Sequence, residues 1–175
     1  EERFFEAQIA LAMDHNLPVL VHTPHRNKRQ GFIRCLEIVE GSGIDMDRVL
    51  LDHGNEETIK ITRDTGCWQG FSIYPFTKMS PERMVEIVKE YGVERVIINS
   101  ACDWGVSDPL SVPKTVDLCR AAGTSDDDID TMVWKNPVGF FGRDGRGSEA
   151  EWLDSPDQDR KKTFDGNSVL RGQDP

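Results

Sequence analysis

The chain has 175 residues, 37% of them hydrophobic and 30% charged, a balance that fits a soluble globular protein of one domain. With 31 acidic against 21 basic residues the net charge is −10, which argues against broad electrostatic binding to duplex nucleic acid and leaves nucleic acid open only as a substrate met by a local basic patch. No apolar run approaches the ~20 residues of a membrane helix, and no signal peptide opens the chain, so no membrane partner is expected.

Four cysteines, Cys35, Cys67, Cys102 and Cys119, lie far apart without a C-x-x-C pair. That is neither a disulfide framework nor a zinc-finger spacing, and free thiols in a reducing cytoplasm are the expectation.

In chain order, Phe4, Phe5, Gln8, Ile9 and Ala12 form an apolar stripe at helical spacing, followed by a first strand at Leu17–His22 (LPVLVH). Phe32, Ile33, Leu36 and Val39 mark a second helix that ends at Gly41 and Gly43. The second strand is Arg48–His53 (RVLLDH), after which Glu56 and Glu57 begin a helix. A weaker third strand spans Trp68–Tyr74. Ser80 and Pro81 supply an N-cap and a first helical residue, and Met84, Val85, Ile87 and Val88 carry that helix to Gly92. The fourth strand is Arg95–Ala101 (RVIINSA), and Ser125 with Asp126, Asp127 and Asp128 opens a further helix. Strands recurring every 20 to 30 residues or so, apolar on both faces, are the pattern of βα units around a parallel sheet. From Arg143 onward apolar periodicity disappears, and residues 143–175 read as a disordered polar tail.

Potential ligands stand at the carboxyl ends of three strands: His22, His53 and Asp103. Strand alternation places His22 with Leu20, and His53 with Leu51 and Val49, on one face, with Asn99, Ala101 and Asp103 on the corresponding face, so the two imidazoles should point to the same side; Asp52 then alternates away from His53, toward the helices or a strand-end hydrogen bond. In parallel α/β folds the site lies at the carboxyl ends of the strands. Two imidazoles and a carboxylate converging there suit Zn²⁺ or another divalent cation. His25 follows in a polar loop, open to metal binding, to substrate contact or to plain solvation. Arg26 begins the densest basic cluster, Arg26 to Arg29, at the same end, so His25 and Arg26 are the candidate substrate contacts.

These segments resemble the TatD-type metal-dependent hydrolases. The pattern F-x-x-Q-x-x-x-A followed by P-V-x-x-H is matched by Phe5, Gln8, Ala12, Pro18, Val19 and His22. RVLLDHGNEET resembles the next ligand-bearing strand, RVIINSACDWGVSDPLSVPKT stands where the family has its catalytic Asp, and Asn136–Gly142 (NPVGFFG) is similar to its closing segment. The resemblance spans residues 1–142 and implies a (β/α)₈ TIM barrel with hydrolytic chemistry on one or two metals. The family's H-x-H motif and its bridging Glu have no counterpart here. Such a barrel takes about 250 residues, so four βα units in residues 1–142 correspond to its C-terminal half.

The expectation is therefore a metal-dependent hydrolase in which a metal-activated water attacks a phosphodiester or another ester or amide bond. His22, His53 and Asp103 would be metal ligands for Zn, Mn or Mg, with Asp103 also the catalytic base; Asp108, followed by Pro109, competes for that role. The chain would be an incomplete fragment whose partner is the missing N-terminal half of the barrel. The alternative is a non-catalytic half-barrel remnant or interaction module.

Overall fold

The first helix, α1 (Glu2–Asp14), turns the opening stripe into a buried edge at Ile9 and Ala12. Phe5, Ile9 and Ala12 repeat at four and three residues and share a face. Phe4, about 100° round the helix from Phe5, leaves that face and stays 75% exposed, so it is not part of the packed stripe expected for it. These elements belong to a computed structural model that describes residues 1–74, 77–101, 106–145 and 147–153.

The order continues β1 (Val19–His22), α2 (Lys28–Ser42), β2 (Val49–Asp52), α3 (Glu56–Thr62), β3 (Trp68–Ile73), α4 (Pro81–Tyr91), β4 (Val96–Ser100), α5 (Ser111–Ala121), α6 (Asp126–Asp130), α7 (Asn136–Phe141) and α8 (Glu149–Leu153). The caps explain the boundaries. Gly43, at φ 75°, ends α2 in the left-handed region, where glycine carries no steric cost. Asn55 and Thr58 form a reciprocal capping box on α3. The Ser80 hydroxyl accepts the Arg83 N–H ahead of Pro81, and Ser125 accepts from Asp128 N–H on α6.

The strands form one parallel sheet in the order β1-β2-β3-β4. Its two faces differ. Val21, Val49 and Leu51 pack on Ile9 of α1 and on Phe32, Leu36 and Val39 of α2. Phe71, Ile73, Val96 and Ile98 pack on α3, α4 and α5 through Ile59, Met84, Val88 and Cys119. The opposite face carries Leu50, Trp68 and Ile97 near the amino ends of the strands, closed by Phe140 of α7. Asn136 pins α7 there, its Nδ2 donating to the carbonyls of Val93 and Val96 at 2.8 and 2.7 Å. Leu20 on the same face of β1 is 49% exposed. Among the described residues this face is plugged by α7 at its amino end and is otherwise helix-free toward its carboxyl end.

The polar segment from 143 onward enters the described structure as a 3₁₀ turn at Gly142–Asp144 and as α8, where Trp152 lies over Gly142 and Gly147 and Glu149 accepts from Trp134 Nε1 at 3.0 Å. Residues 154–175 lie outside the described residues. No helix among the described residues is long and apolar enough to cross a membrane.

Candidate metal centre

Register decides which polar groups meet at the carboxyl end. His22 pairs with Asp52 across β1 and β2, so Asp52 shares the helix-free face with Leu20, His22 and Leu50. The expected parity is therefore corrected: Val49 and Leu51 face the helices, and Asp52 does not. Asp52 instead takes up the strand-end hydrogen bond, its Oδ1 accepting the His53 N–H at 2.7 Å. His53 follows the last strand residue with φ at +62°. This left-handed step, uncommon for a non-glycine residue, turns the chain so that the His53 ring returns to the face from which plain alternation would remove it.

The rings then converge. His53 Nε2 lies 3.1 Å from His22 Nδ1, and His53 Nδ1 lies 2.7 Å from the Ser72 hydroxyl on β3. His25, from the turn after β1, stacks on His53 with centroids 5.4 Å apart and stands edge-on to His22 at 6.0 Å. One ring nitrogen from each of His22, His25 and His53 falls within 4.8 Å of the other two. Three imidazoles so placed form a potential metal site. Metal–nitrogen bonds of about 2.0–2.1 Å in tetrahedral geometry separate neighbouring ligand atoms by ~3.3 Å, close to the His22–His53 spacing. Neutral imidazole is the form that binds metal, and His53 is held neutral: burial pushes its pKa down to about 4, against the opposing pull of Asp52 and with the help of Lys78, His22 and Lys28.

Behind the histidines lies a second layer. Thr23, fully buried, donates its hydroxyl to the Asp52 carbonyl at 2.5 Å and accepts from Lys28 Nζ at 2.6 Å. Burial lowers the Lys28 pKa to about 8, while the Asp52 charge works against that shift. Lys28 thus sits over the ends of β1 and β2, and Lys78, after β3, is near enough for its charge to add to the lowering of the Lys28 pKa.

Of the residues singled out from the sequence, His22, His25 and His53 are brought together, and Arg26 is exposed on the turn that carries His25. Asp103 lies outside the described residues. Asp108 is engaged elsewhere, paired with Lys114 at 2.5 Å and accepting the Leu110 N–H at 2.9 Å at the start of α5. Asn99 pairs with Ser72 and shares its face. Sequence reasoning missed Ser72 and Lys78, and met Lys28 only as a member of the basic cluster Arg26 to Arg29. Lys28 was signalled only by that cluster, and Ser72, in a strand that also carries Gln69, by nothing within its own strand.

Comparison with known proteins bears on the family of the chain. The family described as TatD related DNase matches residues 1–142. An uncharacterized metal-dependent hydrolase of Methanocaldococcus jannaschii is 30% identical over 141 residues, covering 81% of this chain and 55% of that protein. The crystal structure of a TatD-like protein from Archaeoglobus fulgidus superposes with a TM-score of 0.62 at 26% identity, over 78% of this chain and 52% of the other. The chain spans about half the length of these relatives. On a family match that runs unbroken from α1 to the end of α7, this chain belongs to the TatD-related DNase family.

Proposed function

We propose that this chain carries the C-terminal four βα units of a (β/α)₈ barrel and that, with the missing N-terminal half, it forms a metal-dependent hydrolase acting on a phosphodiester. His22 and His53 would hold a divalent cation, Zn, Mn or Mg, with Nδ1 and Nε2 as the facing donors. Asp103, just beyond β4, joins them or takes the proton of the attacking water as a general base. A divalent cation there would supply a water of lowered pKa as the nucleophile. His25 and Arg26 face the substrate, and His25 is near enough to serve as a further ligand. The observation that carries the reading is the 3.1 Å approach of His22 Nδ1 to His53 Nε2, two donors delivered by separate strands.

What favours a phosphodiester over an amide or neutral ester is the pair Lys28 and Lys78. Among the described residues, Lys28 Nζ has a hydroxyl partner, Lys78 Nζ lies 5.7 Å over the Tyr74 ring, and neither forms an ion pair with a carboxylate. In a chain of net charge −10, two such cations beside the histidines favour an anion.

The test compares this chain with a version extended by the barrel's other half, using a diester of p-nitrophenol, an oligonucleotide and a neutral p-nitrophenyl ester, each with Zn²⁺, Mn²⁺ and Mg²⁺. The 175-residue chain should bind metal weakly and turn over little. The extended protein should cleave the diesters in preference to the neutral ester, and His22→Ala, His53→Ala or Asp103→Ala should abolish that cleavage. Absence of metal binding and turnover from both versions would overturn the reading in favour of a non-catalytic half-barrel that serves as an interaction module.

A further inference from the structure

Holding a cation through His53 Nε2 requires that nitrogen to present its lone pair, so the tautomer of this ring bears directly on the proposed metal site and its assignment rests on the metal-ligand reading. A neutral imidazole has one N–H, and the tautomer follows from what each ring nitrogen meets. His53 Nε2 faces His22 Nδ1, and its Nδ1 faces the Ser72 hydroxyl at 2.7 Å. A hydroxyl can donate or accept, so Ser72 alone is compatible with either tautomer.

Asp52 breaks the tie. Its Oδ2 lies 3.6 Å from His53 Nδ1, beyond a hydrogen bond but close enough for its charge to favour a proton on that nitrogen and oppose a lone pair there. The carboxylate is not free to turn away: Oδ1 is tied to the His53 N–H, and the side chain lies in the space left by Gly70. Ser72 is 1% exposed in a strand whose six residues are all buried. A buried hydroxyl costs stability unless it is partnered, and His53 is its partner.

We propose that Ser72 and Asp52 are positioning residues that fix His53 as the Nδ1–H tautomer, with Nδ1–H donating to Ser72 Oγ and the Nε2 lone pair turned toward His22 before any cation arrives. In the metal-free protein, the 3.1 Å contact is then His22 Nδ1–H donating to His53 Nε2. Holding a cation through Nδ1 would require the His22 proton to sit on Nε2 instead. His22 is the exposed member of the pair, so its exchange with water is unobstructed.

The experiment is a long-range ¹⁵N–¹H correlation spectrum of the metal-stripped 175-residue chain with ¹⁵N-labelled histidine, about one unit above the ordinary imidazole pKa of ~6.5. His15→Gln, His22→Gln and His25→Gln variants assign the four rings. His53 should show a protonated Nδ1 and a bare Nε2. Ser72→Ala and Asp52→Asn should each shift the ring toward a mixture of tautomers, while Ser72→Thr, which keeps the hydroxyl, should restore the original pattern. Cobalt affinity should fall about 10–100-fold in Ser72→Ala and recover in Ser72→Thr.

A wild-type His53 protonated on Nε2 overturns the proposal without any variant. So does a Ser72→Ala protein with the wild-type spectrum and wild-type cobalt affinity. An Nδ1–H tautomer in a protein that binds no cobalt, in this chain and in its extended version alike, supports the positioning claim and defeats the ligand reading, so the two failures are distinguishable.

Discussion

Gly70 on β3 and Asp52 on β2 share one volume: a Cβ built on Gly70 would lie 2.5 Å from Asp52 Oδ1 and 3.1 Å from Asp52 Cα. The absent side chain on one strand is what lets the carboxylate lie flat across its neighbour and reach the His53 N–H. The backbone in between is already tied, with Gly54 N–H donating to the Gly70 carbonyl at 2.8 Å.

Gly70→Ala should therefore push Asp52 off the His53 amide. The expected cost is roughly 1–3 kcal/mol, the usual range for overpacking a buried site, read from the urea midpoint at constant slope. Cobalt affinity should fall with it. A variant with wild-type stability and affinity would show that Asp52 has another place to go.

Phe140 and Asn136 make α7 the plug at the amino end of the sheet face that carries Leu50, Trp68 and Ile97. Phe140→Ala should cost about 3–5 kcal/mol. Asn136→Ala strands the Val93 and Val96 carbonyls and should cost about 1–3 kcal/mol. Equilibrium urea unfolding measures both. A neutral Asn136→Ala would mean that water replaces the amide.

The part of this architecture that is legible in the sequence is the part governed by local rules. LPVLVH, RVLLDH and RVIINSA become β1, β2 and β4 with ends trimmed by one or two residues, because β-branched runs between caps leave little choice. His22 falls where alternation puts it because β1 stays extended to its end. His53 does not, because alternation holds only while φ stays negative, and no residue in RVLLDHGNEE announces the left-handed turn at the histidine. Ser72 is invisible as a site residue for a different reason: its partner is set by the register of two strands nineteen residues apart, which no single-strand pattern encodes. Lys28 reads only as one of several basic residues, since its burial depends on how α2 seats over Thr23.

Acid should loosen the metal-free fold through His53. Its folded pKa, about 4, lies below the ordinary ~6.5. Between those values the unfolded chain binds a proton that the folded chain does not, so stability rises with pH across that window and falls as pH drops from ~6.5 toward 4. With allowance for solvent screening the swing is roughly 1–2 kcal/mol. Thermal melts in EDTA across that range should show it, and His53→Gln should flatten the dependence. A His53→Gln protein with the wild-type slope would place the titration on other groups.

Lys28 should give the substrate site a pH limit of its own. Its ammonium is half-buried, and burial brings its pKa down to about 8; the charged form that attracts an anion is present below that value and lost above it. Inorganic phosphate, an anion on both sides of that value, should bind the extended protein most tightly below pH 8 and more weakly as pH rises through it. Lys28→Met should remove the pH step and weaken phosphate binding by about fivefold to tenfold, since one charge at an interface of intermediate dielectric contributes roughly 1 kcal/mol or slightly more. Lys78→Met should weaken binding comparably but leave the step in place, because Lys28 still titrates. Added salt should weaken wild-type binding more than binding by the double variant. Phosphate titrations followed by calorimetry at several pH values separate the two lysines, and a step that survives in Lys28→Met would assign the titration to another group.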